Sequence, residues 1–407
     1  MRLSGRHLAW IGPLIVLVIE LPIIWTSPHV GDWFTFWYAG HLVADGLSPY
    51  DPLSWLPATT DYGAVAHGIA INLEHGVDLA TLRTEHWLWP PLGGILLVLF
   101  GALPLELGIP LLHLATIIVA VGSALALVRV LVPAPLRPLA LTLLLASPSL
   151  VQPMRASTLT ICILPGIVLL FADLTRTRAP RLAIAALGLS VRPQLFLATL
   201  PTIAAVYLTA ARRRALLLAA AGWLVVNAGA FAISPVPLDP SLFGVARAFT
   251  LDDNSSTWRL AWLITGDGVS LVLVAVAMLA VALALGVVAV RRAPRDGRDR
   301  MVIACGLAFA VALAPYTYTY DHLALFPAWL LALASVADAP VARRLSVSLA
   351  VIAAALLYGW SAYFVGAAGM RAAIGLTPFL ALALLASTSA RPSDAAPERT
   401  LAAGSAG

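Results

Sequence analysis

VSLVLVAVAMLAVALALGVVAV, residues 269–290, runs directly into RRAPRDGRDR, residues 291–300. The first stretch carries no charge and no proline, and a helix needs about 20 such residues to cross the roughly 30 Å hydrocarbon core of a bilayer. The second is a block of arginines, which membrane proteins keep on the cytoplasmic side. Together they read as one transmembrane helix whose C-terminal end is inside.

Working outward, apolar runs recur at Leu8–Trp25, Pro91–Leu103, Leu107–Val128, Leu139–Leu150, Leu159–Phe171, Leu182–Leu189, Leu195–Leu208 and Leu216–Ile233. Beyond residue 300 they return at Met301–Ala314, Leu323–Val336, Leu345–Val365 and Ala372–Leu385. With Val269–Val290 these give about twelve crossings. Composition points the same way. The 407 residues are 60% hydrophobic and 11% charged, against roughly half and a quarter in a soluble domain. No water-soluble core hides that much apolar surface, so lipid is its solvent. The expected fold is an all-α integral membrane bundle of about twelve transmembrane helices with a long first extracytoplasmic loop.

The net charge is +5, and with no lysine all 25 basic residues are arginine. They stand in short clusters between apolar runs, a topological signal that gives no reason to expect nucleic acid. Arginine-only basic usage with abundant Ala, Leu and Val points to a GC-rich bacterial source, hence to a bacterial plasma membrane. Cys162 and Cys305 lie inside apolar runs and far from any CxxC spacing, which argues against a disulfide framework and a zinc site. The start, MRLSGRHLAWIGPLIVLVIELPIIW, has basic residues before an apolar stretch but no small-residue cleavage site, so it reads as a retained first helix.

Four regions follow. Residues 1–25 form the first transmembrane helix, and 26–89 form an extracytoplasmic loop. Residues 90–386 form the bundle, with a second loop at about 234–258. Residues 387–407 form a disordered cytoplasmic tail. Within the first loop, Trp33–Val43 and Gly63–Leu73 read as amphipathic helices at the interface. The arginines of Thr175–Arg181, Arg212–Arg214, Arg291–Arg300 and Arg343–Arg344 place those turns in the cytoplasm, with both termini. Arg129 and Arg137 break the alternation if Pro91–Val128 crosses twice. The short Leu139–Leu150, ending in SPS, is then the run expected not to cross.

Under this topology the polar residues gather at the outer face: Asp32, Tyr38, His41, Asp45, Tyr50, Asp51, Glu85, His86, Arg192, Asp252–Ser256, Asp321 and His322. Only Glu20 is a midplane charge, and Glu106 sits at a helix end. A transporter more typically keeps its ionisable groups near the midplane. Asp32 reads either as a helix N-cap or as a general base that takes a proton from an attacking hydroxyl. Arg192, between two apolar runs and before a proline, reads as a snorkelling cation or as a bidentate phosphate ligand. In APYTYTYDHLALFP, Ala314–Pro327, His322 can donate to a phosphate or orient a substrate, and Asp321 can fix its tautomer or cap a helix; a plain interfacial aromatic cluster is the alternative. Asn254 and Ser255, within DDNSSTWRL, offer amide and hydroxyl groups to sugar hydroxyls. LSPYDP (Leu47–Pro52) and WLWPPL (Trp87–Leu92) read as turn and helix-start scaffolding.

Taken in order, these segments resemble the polyprenyl-phosphate-dependent glycosyltransferases of family 87, within the C-type membrane superfamily. The likeness rests on DWFTFWYAGHLVADGLSPYDP (Asp32–Pro52), Trp89-Pro90-Pro91, Arg192-Pro193, Asn254-Ser255-Ser256, and Pro315 followed by Tyr320-Asp321-His322. Three departures stand out. Arg192 replaces a usual Lys and Tyr320 a usual Trp, and Ala156-Ser157-Thr158-Leu159 occupies the place of a Gly-Gln-x-Asn element.

The resemblance implies an enzyme that moves a sugar, commonly mannose, from a polyprenyl phosphate to a glycolipid or glycan hydroxyl at the outer leaflet. The reaction would be inverting, with Asp32 as base and the lipid phosphate leaving toward Arg192 and His322. Tyr38, Tyr50, His86, Asn254, Ser255 and Asp321 are the expected substrate contacts. No cofactor is implied; a divalent metal stays open, although the acidic residues form no clear ligand set. A pentosyl (arabinofuranosyl) transferase with the same carrier and a transporter or lipid-glycan flippase are the alternatives.

Overall fold

The computed structural model describes residues 10–26, 30–55, 57, 89–174, 177–235, 255–364 and 372–389, and every regular element among them is helical. The chain opens with α1 (Ile11–Thr26), α2 (Val30–Ala44) and a 3-10 turn at Pro52–Trp55. It resumes with α3 (Pro91–Gly101), α4 (Leu105–Leu131) and the short α5 (Arg137–Leu145) and α6 (Pro148–Ala156). Next come α7 (Ile163–Ala172), α8 (Ala179–Ser190), α9 (Pro193–Tyr207) and α10 (Arg213–Ile233). After the second loop lie α11 (Thr257–Thr265), α12 (Val269–Arg292) and α13 (Arg298–Leu313). A 3-10 helix, Thr319–Leu325, leads into α14 (Phe326–Ala334). Then α15 (Val341–Ile352) passes through a π-helical turn (Ala353–Tyr358) into α16 (Gly359–Phe364), and α17 is Thr377–Thr388.

Among the described residues, four helical stretches are long and apolar enough to cross a membrane: α4, α10, α12 and the continuous Val341–Ser361. The pair Ala134–Leu145 and Pro148–Ala156, bent by 52°, makes a fifth if it is one span. The remaining apolar helices, α1, α3 and α7–α9 among them, are too short to count alone, so about twelve crossings are not reached by helix length. The faces of α12 explain why its solvent is lipid. It buries Ala275, Ala282, Gly286 and Ala289 and exposes Leu273, Val276, Val281 and Leu283. A soluble helix turns its large apolar residues inward; here small residues let neighbouring backbones approach and the large ones face outward. In α10 only Ala219 and Ala230 are buried, while Leu224 and Val225 stand exposed.

The helices meet at two distinct ends. At one, Arg212 donates to Asp299 at 2.7 Å and to the Leu174 carbonyl at 2.9 Å. On the adjoining pair, Arg292 of α12 donates to the Ala386 carbonyl of α17 at 2.8 Å. At the other, α2, α3, the start of α9, the start of α11 and the Thr319–Leu325 helix come together.

Two short elements bear on the Arg129 and Arg137 conflict, the bent α5–α6 pair and α3. α4 starts beside α2, where the Leu103 carbonyl accepts from Trp37 Nε1 at 3.2 Å, and its 27 residues carry it about 40 Å away. Arg129 and Arg137 therefore stand at the arginine end. The bent pair α5–α6, a broken span or a re-entrant loop, packs through α6 on the Thr319–Leu325 helix. Pro91–Gly101 is an 11-residue helix about 16 Å long, too short to cross alone. It lies side by side with α2, Trp89 against Phe36 and Gly101 against His41.

Two further expectations change. Trp33–Val43 is helical, but α2 is wrapped rather than amphipathic: Phe34, Phe36, Trp37, Tyr38, Ala39 and Leu42 are all buried. The close fit comes from Gly40 and Gly101, since a Cβ on either would overlap backbone of the facing helix. At the other terminus α17 runs to Thr388, past the expected start of the tail; residues 390–407 and Gly63–Leu73 lie outside the described residues.

Candidate functional site

The site is built from the segments between helices at the α2 end. Pro193 cannot donate a backbone hydrogen bond, so α9 starts there with Arg192 as its N-cap. Asp321 sits in the first turn of the Thr319–Leu325 helix, where Oδ2 accepts from the Tyr318 backbone N–H at 2.9 Å. Its other oxygen, Oδ1, accepts from Arg192 Nε at 2.6 Å. Asp321 is fully buried and Arg192 is 7% exposed.

Three rings surround the guanidinium: Trp89 at 4.6 Å, Tyr320 at 5.1 Å and Tyr318 at 5.7 Å from its central carbon. Aromatic faces attract a cation in place of water, which helps hold a charge in a dry site. Burial pushes the Asp321 carboxyl up, while Arg192 and the Tyr318 N–H pull it back down. Arg192 is kept protonated by Asp321 against its own desolvation. Its Nη2 is buried without a hydrogen-bond partner. A guanidinium with one arm paired and another unpaired is a half-filled anion receptor.

Trp89 is held from behind. Its carbonyl accepts from the Tyr50 hydroxyl, and its ring meets Phe36 of α2 edge-on at 5.4 Å. The first loop is thus tied directly to Arg192. The second loop reaches the same place: Ser255 N–H donates to the Thr317 carbonyl at 2.6 Å, Ser256 Oγ to the Pro315 carbonyl at 3.0 Å, and Trp258 Nε1 to the Leu313 carbonyl at 2.9 Å.

His322 faces away from that pair. Its Nδ1 is 2.5 Å from Thr377 Oγ1, while Nε2 is buried without a hydrogen-bond partner. It lies between α13 and α14, outside the helices long enough to span. Burial pushes its pKa from 6.5 down to about 4, with the Ser255 backbone pulling weakly the other way. In these surroundings the ring is held neutral.

The expected site residues therefore separate. Arg192, Asp321 and the Ser255 segment come together, with His322 adjoining. Tyr50 acts through Trp89. Tyr38 stacks on Phe34 at 5.4 Å and donates to the Ser54 carbonyl at 3.3 Å, within the aromatic core of the first loop. His86 and Asn254 lie outside the described residues, as do Glu85 and residues 252–253. Asp32 is in the first turn of α2, one turn before Phe36 along the helix; its side chain is outside the described positions. Its neighbour Trp33 donates to the Arg155 carbonyl and packs on His113, whose Nδ1 is 2.8 Å from Ser157 Oγ.

Sequence reading missed two parts. Trp89 reads as scaffold because Trp before Pro-Pro is ordinary helix-start chemistry. Thr377 gave no signal, being one hydroxyl beside an apolar run. Ser157, where Gly-Gln-x-Asn was expected, adopts φ 49°, a left-handed conformation rare for a side-chain-bearing residue. Among the described residues no three His, Cys, Asp or Glu side chains group as metal ligands. No protein-family model, curated protein or solved structure matches the chain.

Proposed function

We propose that this chain is a membrane glycosyltransferase of the C-type architecture, with a sugar, most readily mannose, passed from a polyprenyl-phosphate donor to a glycolipid or glycan of the bacterial cell envelope. The arginine end faces the cytoplasm and the Arg192 end faces outside. Arg192 Nη2 takes an oxygen of the donor phosphate, and the rings of Trp89, Tyr318 and Tyr320 keep water from competing. The acceptor hydroxyl attacks the anomeric carbon, its proton goes to Asp32, and the carbon–oxygen bond to the phosphate breaks with inversion.

The observation that supports this reading is the buried, unpartnered Nη2 of an arginine already fixed by Asp321, reached by both loops at one end of a membrane bundle. A phosphate anion complements it in charge and geometry. The bent α5–α6 pair and the π-helical turn favour a second reading, since carriers line substrate paths with broken helices.

The test uses the full chain in lipid vesicles with a radiolabelled polyprenyl-phosphate mannose and an envelope-lipid extract. Wild type is expected to transfer label, Asp32→Asn to transfer none while folding normally, and Arg192→Gln to lose donor binding. Equal transfer by Asp32→Asn would remove the base assignment. No transfer from mannose or arabinose donors, with movement of labelled carrier between leaflets, would replace the enzyme by the flippase.

A further inference from the structure

Where the two interrupted rods meet, the chain leaves a cavity of about 20 Å³. α5 and α6 bend apart by 52° across Ala146–Ser147, and the Ala146 carbonyl accepts from Trp360 Nε1 at 2.8 Å. Beside the bend, Gly359 follows the π-helical turn so closely that a Cβ there would lie 3.0 Å from the Pro148 ring. Ser147, Ser149, Thr319, His322 and Thr377 are the polar lining.

The hydrogen bonds fix which nitrogen of His322 carries its proton. Thr377 Oγ1 lies 2.7 Å from the Ile374 carbonyl oxygen, and a carbonyl only accepts. The single hydroxyl proton of Thr377 must therefore lie between those two oxygens. Toward His322 the same hydroxyl can only accept, so Nδ1 donates across the 2.5 Å contact. A neutral imidazole has one N–H, which leaves Nε2 as a bare lone pair. The Ser255 backbone, the ring's other polar neighbour, favours a protonated ring, but no hydrogen bond of good geometry reaches Nε2, which is buried in a side chain that lines the cavity.

We propose that this cavity is a hydroxyl site: it takes one neutral O–H group, a water in the resting protein, whose proton points at His322 Nε2. The volume admits a single water, since one water needs about 10–15 Å³. A phosphate is excluded by chemistry. A lone pair repels it, and the amides at the start of α6, elsewhere an anion site, are already used. Pro148 has no N–H, the Ser149 N–H is taken by Ser147 Oγ, and those of Leu150 and Val151 by the Ser147 carbonyl. His322 is thereby a proton acceptor that does not depend on Asp32, and the assignment stands whether or not sugar transfer is the reaction.

The test is magic-angle-spinning NMR of the full chain, labelled with [15N]histidine, in lipid bilayers at neutral pH without substrate. The His322 signals are those lost in His322→Gln; Thr377→Val, which removes the Nδ1 acceptor, identifies them independently by a shift. The expected result is a protonated Nδ1, an unprotonated Nε2, and magnetisation transfer from water to Nε2. A protonated Nε2, a doubly protonated ring, or an Nε2 with no water transfer would overturn the proposal. None of these readings involves glycosyl transfer, so failure here and failure of the enzyme reading are separable.

Discussion

Arg192 Nε donates to Asp321 Oδ1 at 2.6 Å, joining residues 129 positions apart inside a shell of aromatic rings. The pair ties the start of α9 to the segment after α13, and its position leaves Arg192 Nη2 without a partner. Isolated buried charges are unfavourable, whereas a pair with further hydrogen bonds is tolerated and holds its geometry. Here the Tyr318 N–H supplies the further bond. Asp321 thus sets the direction in which the guanidinium faces.

Removing only the carboxylate leaves a buried cation unpaired. Asp321→Asn is expected to lower stability by about 3–5 kcal/mol, while Arg192→Met/Asp321→Leu regains much of that loss. Thermal unfolding of the purified chain in detergent measures both. If the double variant is as unstable as Asp321→Asn, packing rather than charge governs this site. Ligand binding separates the roles again, since the double variant is expected to be stable yet unable to retain a phosphate.

The Gly40–Gly101 contact places Trp89 by letting α3 lie directly on α2. Gly101→Ala puts a methyl into the backbone of Gly40 and His41. A destabilisation of about 1–3 kcal/mol is expected from such overpacking. Gly122→Ala, where a Cβ meets nothing within 4 Å, is expected to be neutral or to stabilise by up to about 1 kcal/mol. Parallel unfolding curves decide this, and equal effects at the two glycines would show that the helix contact is not tight.

How far the sequence reveals this architecture depends on which physical property each residue uses. Val269–Arg292 is legible because hydropathy alone forces a long helix, and the arginine blocks fix which ends coincide. Pro91–Gly101 is less legible, because its apolar run forms a helix too short to cross alone and packed on α2; periodicity does not reveal what covers a face. Arg192, Asp321 and Ser255 are legible as polar groups at helix breaks, where burial demands a partner. The tautomer of His322 is not, since it depends on Thr377 Oγ1 and the Ile374 carbonyl, and only the folded chain brings that hydroxyl to the ring.

Ser256 tests how the second loop is held. It caps α11 by accepting from the Arg259 N–H at 3.1 Å and donates to the Pro315 carbonyl at 3.0 Å. Ser256→Ala loses both bonds, with an expected loss of about 1–2 kcal/mol. Ser256→Thr keeps them in the same backbone conformation and is expected to recover most of it. Hydrogen exchange of the α11 amides reads the effect locally. Unchanged protection in Ser256→Ala would mean that Trp258 and its bond to the Leu313 carbonyl carry the docking alone.

Burial holds His322 near a pKa of about 4, below its ordinary 6.5, so between those values the unfolded chain binds more protons than the folded one. Stability from the neutral ring is complete above about pH 6.5 and drains away as pH falls from 6.5 toward 4. The neighbouring Asp321, whose carboxyl burial also holds above its ordinary range, works in the opposite direction. It does so in wild type and His322→Gln alike, so the difference between the two proteins isolates the histidine. Wild type is expected to lose thermal stability across that window, and His322→Gln to lose distinctly less, since glutamine does not titrate. Unfolding midpoints from about pH 7 to about pH 4.5 provide the comparison. Parallel pH profiles for the two proteins would mean that His322 is not the group being protonated, and that the acid sensitivity lies with the carboxylates instead.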